Sequence, residues 1–274
     1  MFSSFFKKHL IKDAVSKDHA VFLYKIRMRN ITIRSLQFFL LIGFIICWEI
    51  LASKEVINSF LMSQPSKVWD ILVEMYGDGR LFTHIRITLI EDIIGFLTGT
   101  IMGILIAITL WWSEYLYDLL EPYIIIMNSI PKVALGPVII VWLGNGSTAI
   151  IFMALLVSII VTIITLTNGF REVESNKIKL LQTLGAKKKQ VLLKVILPAS
   201  VPTIFSAIKI SVGLSLVGTI VGEFLVSQAG LGYLIVYGGQ VFNLHMVMAS
   251  IIILCIIAGL MYYLIVLLEK LIVK

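Results

Sequence analysis

Charged residues are scarce in this chain of 274 amino acids. They make up 14% of the sequence, whereas soluble domains carry about 25%. Apolar residues make up 59%, and the mean hydropathy is +0.99. A chain of this composition would expose too much nonpolar surface to water. The composition therefore excludes a soluble protein and indicates an integral membrane protein.

Cysteine is nearly absent as well. Only Cys47 and Cys255 occur, both in apolar segments, where a thiol behaves as a small hydrophobic group. We therefore expect no disulfide framework, and no Cys/His spacing predicts a metal site. The sequence also lacks the G-x-x-x-x-G-K-[ST] motif that cradles nucleotide phosphates. We expect no catalytic residue, no metal and no cofactor, so the chain is predicted not to be an enzyme.

Six apolar runs are long enough to cross a bilayer as helices, for which about 20 residues are needed. They cover residues 35–52, 87–110, 119–143, 147–168, 199–226 and 246–269. Pro131 and Pro137 are each expected to kink the third helix. A broken helix at membrane depth must pack on protein or line a cavity, so this span is not expected to face lipid on all sides.

The placement of Lys and Arg predicts the orientation. Segment 1–34 has eight basic residues and segment 171–198 has seven, whereas 144–146 and 227–245 have none. Cytoplasmic loops carry the excess of positive charge. We therefore predict that both termini and 171–198 are cytoplasmic and that 53–86 lies outside. The net charge of +7 then reflects membrane topology rather than nucleic-acid binding.

Charged residues inside the predicted spans are functional candidates by default. We expect Lys209 to extend its ammonium group toward the cytoplasmic face. Glu91 and Asp92 are expected to be solvated near the outer interface. Glu223, near the outer end of its span, has either a functional role or a structural hydrogen-bonding role, and the sequence leaves both open.

Glycines recur at every fourth position in two of the spans. Small residues at this spacing let helix backbones approach closely, so we predict helix packing rather than solute binding for Gly95, Gly99, Gly103, Gly218 and Gly222.

The polar segment 171–198 interrupts the apolar sequence and has a pattern of its own. Ser175 or Asn176 is predicted to cap a helix, and Gly185 to end it in the left-handed conformation. A second short basic helix, about 186–194, leads to the next span. The first helix has one apolar face, made of Ile178, Leu180, Leu181 and Leu184. Such a helix fits either a partner's groove or an anionic lipid surface, and physical chemistry alone leaves both open.

This segment resembles the cytoplasmic signature loop of ABC-importer permeases. That pattern reads Glu-Ala-Ala, three residues, Gly, nine residues, Ile, any residue, Leu-Pro. Gly185, its nine-residue spacing to the aliphatic Val195, and Leu197-Pro198 agree with it. Lys179 stands at the Glu position, and Leu180-Leu181 stand at the two alanines.

Two further segments are similar to the nitrate/sulfonate/taurine/pyrimidine-precursor branch of these permeases. They are Ile130-Pro131-Lys132-Val133-Ala134-Leu135-Gly136-Pro137 with Val141-Trp142-Leu143-Gly144, and Val221-Gly222-Glu223-Phe224 with Gly230-Leu231-Gly232-Tyr233-Leu234.

The resemblance implies an all-α fold of six transmembrane helices, the type I ABC-importer permease fold. It divides the chain into a basic cytoplasmic segment (1–34), a first span with an outer linker (35–64), the permease core (65–270) and a cytoplasmic tail (271–274). The protein is then a multi-pass component of the cell membrane.

The resemblance also implies partners and site residues. We expect a second permease copy, most simply as a homodimer, and a cytosolic ATP-binding subunit that hydrolyses ATP. We also expect an extracytoplasmic solute-binding protein and membrane lipid as partners. ATPase coupling is assigned to Lys179, Leu180, Leu181, Thr183, Leu184, Gly185, Ala186, Leu197 and Pro198. The translocation path is assigned to Asn128, Ser129, Lys132 and Glu223. For Lys132, contact with an anionic solute and a structural role both remain open.

The implied activity is ATP-driven import of a small solute, anionic or heterocyclic, such as nitrate, a sulfonate, taurine or a thiamin-precursor pyrimidine. The sequence does not say which. An ion-coupled secondary transporter acting alone is the alternative. It would need paired ionisable residues at the bilayer midplane, which the sequence does not indicate, and it leaves 171–198 unexplained.

Overall fold

The structure is a computed structural model that describes residues 16–272, and within this range it is helical without a β-strand. The chain divides into two compact units, one ending at Lys67 and the other beginning at Val68. Five helices are long and apolar enough to cross a membrane, and a bent pair makes a sixth if it counts as one span. The predicted all-α membrane fold is confirmed.

The first unit consists mainly of one long helix. Helix α1 (Lys17–Ser53) is followed by the short helix α2 (Ser59–Met62). The carboxylate of Glu49, near the end of α1, accepts hydrogen bonds from the Gln64 side-chain amide at 2.6 Å and the Ser66 backbone N–H at 3.0 Å. Helix α1 also begins well before residue 35, where the predicted span started, because polar residues extend it beyond its apolar run.

The second unit contains the remaining spans. The helices that follow α2 are α3 (Pro65–Gly77), α4 (Arg80–Trp112), α5 (Glu114–Ser129), α6 (Gly136–Leu143), α7 (Ser147–Arg171), α8 (Ser175–Thr183), α9 (Lys188–Val191), α10 (Leu197–Ala199), α11 (Val201–Val226), α12 (Leu231–Gln240) and α13 (Leu244–Ile272). A 3₁₀ turn (Lys132–Leu135) precedes α6, and a π turn (Leu192–Ile196) lies between α9 and α10.

Helix α7 is the centre of this unit, because α4 and α11 both pack along it. A Cβ atom placed on Gly95 of α4 would lie 2.5 Å from the Cβ of Ala154 on α7. One placed on Gly218 of α11 would lie 2.6 Å from the Cα of the same alanine. The packing role predicted for the glycines is confirmed, and the same close approach occurs at Gly99, Gly103 and Gly222.

The third predicted span is sharply bent. Helices α5 and α6, with the 3₁₀ turn between them, meet at 87°. The predicted break at Pro131 is therefore confirmed. The kink predicted at Pro137 is wrong, since this proline lies in the first turn of α6, where a helix needs no N–H donor. Gly136 and Ile139 are the buried residues of α6.

The glycine contact predicts a position-specific cost of adding one methyl group. We expect Gly218→Ala to lower the free energy of unfolding by about 1–3 kcal/mol, because the new Cβ would meet the α7 backbone. Gly213→Ala is the matched control on the same helix, since nothing lies within 4 Å of its position. It should be neutral or stabilise by about 0.5–1 kcal/mol. Unfolding of the purified protein in detergent measures both, and equal effects would contradict the packing.

Candidate functional site

Helix α8 begins the 171–198 loop without the predicted cap. Ser175 and Asn176 both lie inside its first turn, and the N-cap residue is Glu174, whose side chain makes no capping hydrogen bond. The predicted cap is therefore wrong. All three residues are exposed, so water can satisfy the first amides in place of a side chain. Sequence alone did not separate these neighbouring positions.

The other end of α8 is formed as predicted. Gly185 has a φ of +79°, in the left-handed region. The N–H of Ala186 donates to the carbonyl of Leu181 at 2.9 Å, and the N–H of Gly185 donates to that of Gln182 at 2.9 Å. These two bonds form a Schellman motif, which satisfies carbonyls that the end of a helix leaves free. The direction of the chain after α8 is thereby fixed.

The predicted apolar face of α8 is divided between two surroundings. Ile178 and Leu181 pack against a buried cluster that includes Phe170 of α7 and Ile196 of the π turn. Leu180 and Leu184 lie on the other edge of the face, with 60% and 78% of their surface exposed. One edge anchors the helix to the membrane-spanning part of the chain, and the other is free to contact a partner.

The second predicted helix of the loop is longer and less regular than expected. It begins as α9 at Lys188, continues through the π turn and α10, and leads into α11 after Ser200. The N–H of Leu197 donates to the carbonyl of Leu192, five residues back. Such a turn shifts the hydrogen-bonding register just before Pro198, which cannot donate. Val191, Leu192 and Ile196 hold this segment in the buried cluster.

The nine predicted coupling residues therefore fall into two groups. Leu181, Ala186 and Leu197 are partly buried and pack on the cluster. The exposed members are Lys179, Leu180, Thr183, Leu184, Gly185 and Pro198. Their role in coupling stays a prediction.

Three of the predicted path residues lie at the break between α5 and α6. The ammonium group of Lys132 donates to the backbone carbonyl of Asn128 at 3.0 Å. This places a cation at the C-terminal end of α5, where the helix dipole favours positive charge. The hydroxyl of Ser129 donates to the carbonyl of Ile125. The bond of Lys132 supports its structural alternative, and the path assignment stays a prediction.

The fourth predicted path residue, Glu223, is 1% exposed and hydrogen-bonded. Its carboxylate accepts the hydroxyl of Thr88, from α4, at 2.6 Å and the N–H of Gly232, from α12, at 2.5 Å. A Cβ atom on Gly230 would collide with this carboxyl group, and one on Gly232 would lie 2.8 Å from Oε2. The two glycines therefore give the carboxylate access to the first turn of α12.

Helix α4 supplies two more acceptors to the start of α12. The hydroxyl oxygen of Thr88 accepts the N–H of Leu231 at 2.8 Å, and Nδ1 of His84 accepts the N–H of Gly230 at 2.9 Å. Because an N–H donates to it, this imidazole nitrogen carries no proton. Three consecutive amides are thus satisfied by side chains from other helices. Sequence reasoning missed this cap because two of the acceptors, His84 and Thr88, lie more than 140 residues from the amides that donate to them.

Two more carboxylates lie close by, which corrects the expectation that they are solvated. Glu91 is 3% exposed and Asp92 is fully buried. Asp92 accepts the hydroxyl of Thr219 at 3.3 Å, and Glu91 lies beside Glu223. The expectation failed because α4 begins at Arg80, which places both carboxylates about three turns inside the helix. Within residues 16–272, no group of three His, Cys, Asp or Glu side chains is placed to hold a metal ion.

Lys209 has a partner that the sequence did not reveal. Its ammonium group lies 2.5 Å from the carboxylate of Glu269 on α13, and both side chains are largely buried. This ion pair joins α11 to α13, and the expected direction of Lys209 toward the cytoplasmic face stays a prediction.

Comparison with known proteins gives a consistent family. Residues 99–274 match the family described as "Binding-protein-dependent transport system inner membrane component". The chain is 29% identical over 227 residues to the putative aliphatic sulfonates transport permease protein of Bacillus subtilis, covering 83% of this chain and 82% of that one. It is 26% identical over 196 residues to the formylaminopyrimidine transport permease protein of Halalkalibacterium halodurans, covering 72% and 77%.

The fold also has a solved counterpart. A chain from an inward-facing structure of the MetNI methionine ABC transporter superposes with a TM-score of 0.62 at 20% identity. The likeness covers 69% of this chain and 94% of that one. At this identity, it establishes the fold alone.

The cap of α12 predicts a local loss of stability in Thr88→Val. This change removes a donor to Glu223 and the acceptor of the Leu231 N–H, at a cost of about 1–3 kcal/mol. Amide hydrogen exchange at residues 230–234 should become roughly tenfold faster or more. Thr98→Val is the matched control on the same helix, because the exposed hydroxyl of Thr98 donates only to backbone carbonyls of α4 itself, those of Ile94 and Gly95. Unchanged exchange in Thr88→Val would contradict the cap.

Proposed function

This chain belongs to the family of binding-protein-dependent transport system inner membrane components, and from that membership we propose that it forms the translocation path of an ATP-driven importer and is coupled to its ATPase through the 171–198 loop. As a family member, it is a multi-pass component of the membrane and a permease of an ABC importer for small solutes. ATP hydrolysis is assigned to a separate subunit, since the chain lacks a phosphate-cradling motif.

The division of helix α8 into an anchored and an exposed edge carries this proposal. Leu180 and Leu184 offer apolar side chains to a groove of the ATP-binding subunit. Ile178 and Leu181 connect the same helix to Phe170 at the end of α7 and to the segment that leads into α11. A displacement of α8 by the ATPase therefore reaches two membrane helices at once.

Transport then follows from two global states with different ligand preferences. We assign the path to two copies of this chain, each contacting one ATP-binding subunit. Closure of the ATP-bound subunits favours one state, and their separation after hydrolysis favours the other. A solute-binding protein delivers the solute on the outer face, so that alternating access moves it inward.

The solute is assigned to small anionic or heterocyclic compounds. The relatives named for aliphatic sulfonates and for formylaminopyrimidine support this range, which also includes nitrate and taurine. Lys132, at the α5–α6 break, is the cation that an anionic solute would meet. Asn128 and Ser129 are proposed to line the path beside it, with Glu223 toward the outer end. Calorimetry on the solute-binding protein of the same system, with a sulfonate, nitrate and a pyrimidine, tests the range.

One observation favours the alternative of an ion-coupled carrier. Glu91, Asp92 and Glu223 are buried near one another, and carriers use buried carboxylates to bind protons. Two of these carboxylates, however, accept hydroxyl or backbone groups of neighbouring helices. Uptake into proteoliposomes separates the two functions: an importer requires ATP and its ATPase subunit, whereas a carrier works without them and stops when a protonophore is added.

Gly185→Leu is expected to uncouple ATP hydrolysis from uptake. A leucine at a φ of +79° is strained and would alter the end of α8, while nothing lies within 4 Å of the position of its Cβ atom. We expect normal membrane insertion, continued ATP hydrolysis and at least a tenfold loss of solute uptake in proteoliposomes.

Gly79→Leu is the control, because Gly79 is also left-handed, with a φ of +76°, and nothing lies within 4 Å of its Cβ position. It carries the same backbone strain outside the loop and should retain coupled uptake. Full uptake by Gly185→Leu would count against the assignment of the loop.

A further inference from the structure

The outward edge of α8 borders two open concavities. One is lined by Leu184, Gly185, Ala186 and Gln190, and the other by Leu180, Val195, Pro198 and Ala199. Leu181 and Lys194 line both. Each exposed leucine therefore stands at the wall of a depression, and Lys194 lies between the two depressions.

The same surface carries an excess of positive charge. From Lys177 to Pro198 there are six lysines and no acidic residue. Lys177 pairs with Glu174 at 3.3 Å, and the Lys188 ammonium lies 5.8 Å from the centre of the Trp111 ring. The other four form no ion pair with any residue of the described range 16–272, and they are Lys179, Lys187, Lys189 and Lys194.

From these observations we infer that the groove receiving α8 has an apolar floor for Leu180 and Leu184 and a rim of Asp or Glu side chains facing Lys179 and Lys194. This inference rests on the proposed docking of the loop into an ATP-binding subunit. Lys179 stands where the signature-loop pattern has Glu, so this position carries the opposite charge from the one in that pattern. Opposite charges across an interface accelerate association and exclude wrong partners.

The shape of the surface favours a protein over a lipid headgroup layer as the occupant. A bilayer surface is flat on the scale of a few side chains and would leave both concavities unfilled. Ile178 and Leu181 are packed against the chain's own cluster, so only the Leu180 and Leu184 edge of the apolar face is left to enter lipid. A protein groove fills the depressions and covers the two leucines together.

Charge reversal tests the acidic rim. The ATP-binding subunit is titrated onto the permease in phosphatidylcholine nanodiscs, which carry no net headgroup charge. At about 0.05 M salt, Lys179→Glu and Lys194→Glu should each weaken association about tenfold, and the difference should shrink at about 1 M. Lys54→Glu is the control, an exposed lysine at the end of α1 on the opposite side of the predicted topology.

Zero-length coupling tests the contact directly. A carbodiimide joins a lysine amine to a carboxyl group in contact with it, and mass spectrometry of the complex should identify amides between Lys179 or Lys194 and Asp or Glu residues of the ATP-binding subunit. Lys179→Arg keeps the positive charge but cannot form this amide. It should bind like the wild type and lose only the Lys179 product.

The outcomes separate this inference from the proposed function. If Lys179→Glu and Lys194→Glu bind like the wild type while Leu184→Asp abolishes association, the loop docks but the rim is not acidic. If Leu184→Asp and Leu180→Asp also bind normally, docking itself is wrong. If the lysine effect appears only in nanodiscs with anionic lipid, the lysines bind lipid and the inference is overturned.

Discussion

The rest of this structure depends on the close contact of α4 and α11 with α7. Inside a bilayer, apolar side chains gain nothing by leaving lipid for one another, so helices associate through close packing and hydrogen bonds. Gly95 and Gly218 meet Ala154 from two directions and bring both helices onto one neighbour. Only because α4 and α11 share this neighbour does Thr88 reach Glu223, and Asp92 reach Thr219.

The start of α12 and helix α8 differ in whether their side chains find partners within the chain. At the start of α12, buried polar groups from three helices bond one another, which is the arrangement that a low-dielectric interior requires. On α8, the apolar side chains of Leu180 and Leu184 face outward, near Lys179, which forms no ion pair with the residues that the structure describes. The first arrangement stabilises a junction within the chain, whereas the second is the surface that we propose a partner subunit covers.

Features that depend on neighbouring positions in the sequence were predicted better than contacts between positions far apart. The glycine that ends α8 and the packing glycines were predictable because each depends on a few neighbouring positions in the sequence. The partners of Glu223 and Lys209 were not, since Thr88 lies 135 residues from Glu223 and Glu269 lies 60 from Lys209. The prediction that Glu91 and Asp92 are solvated was wrong because it misplaced the start of the helix. Hydropathy marks where a helix becomes apolar and not where it begins.

The shared contact at Ala154 has a mechanical consequence. Because glycines bring α4 and α11 close to α7, mainly short side chains of α7, such as that of Ala154, lie between the helices at these positions. If the loop couples the chain to an ATPase as we propose, a force applied near Phe170 would be transmitted through these closely packed helices. The close packing of these helices depends on five glycines, at which any side chain would force the helices apart.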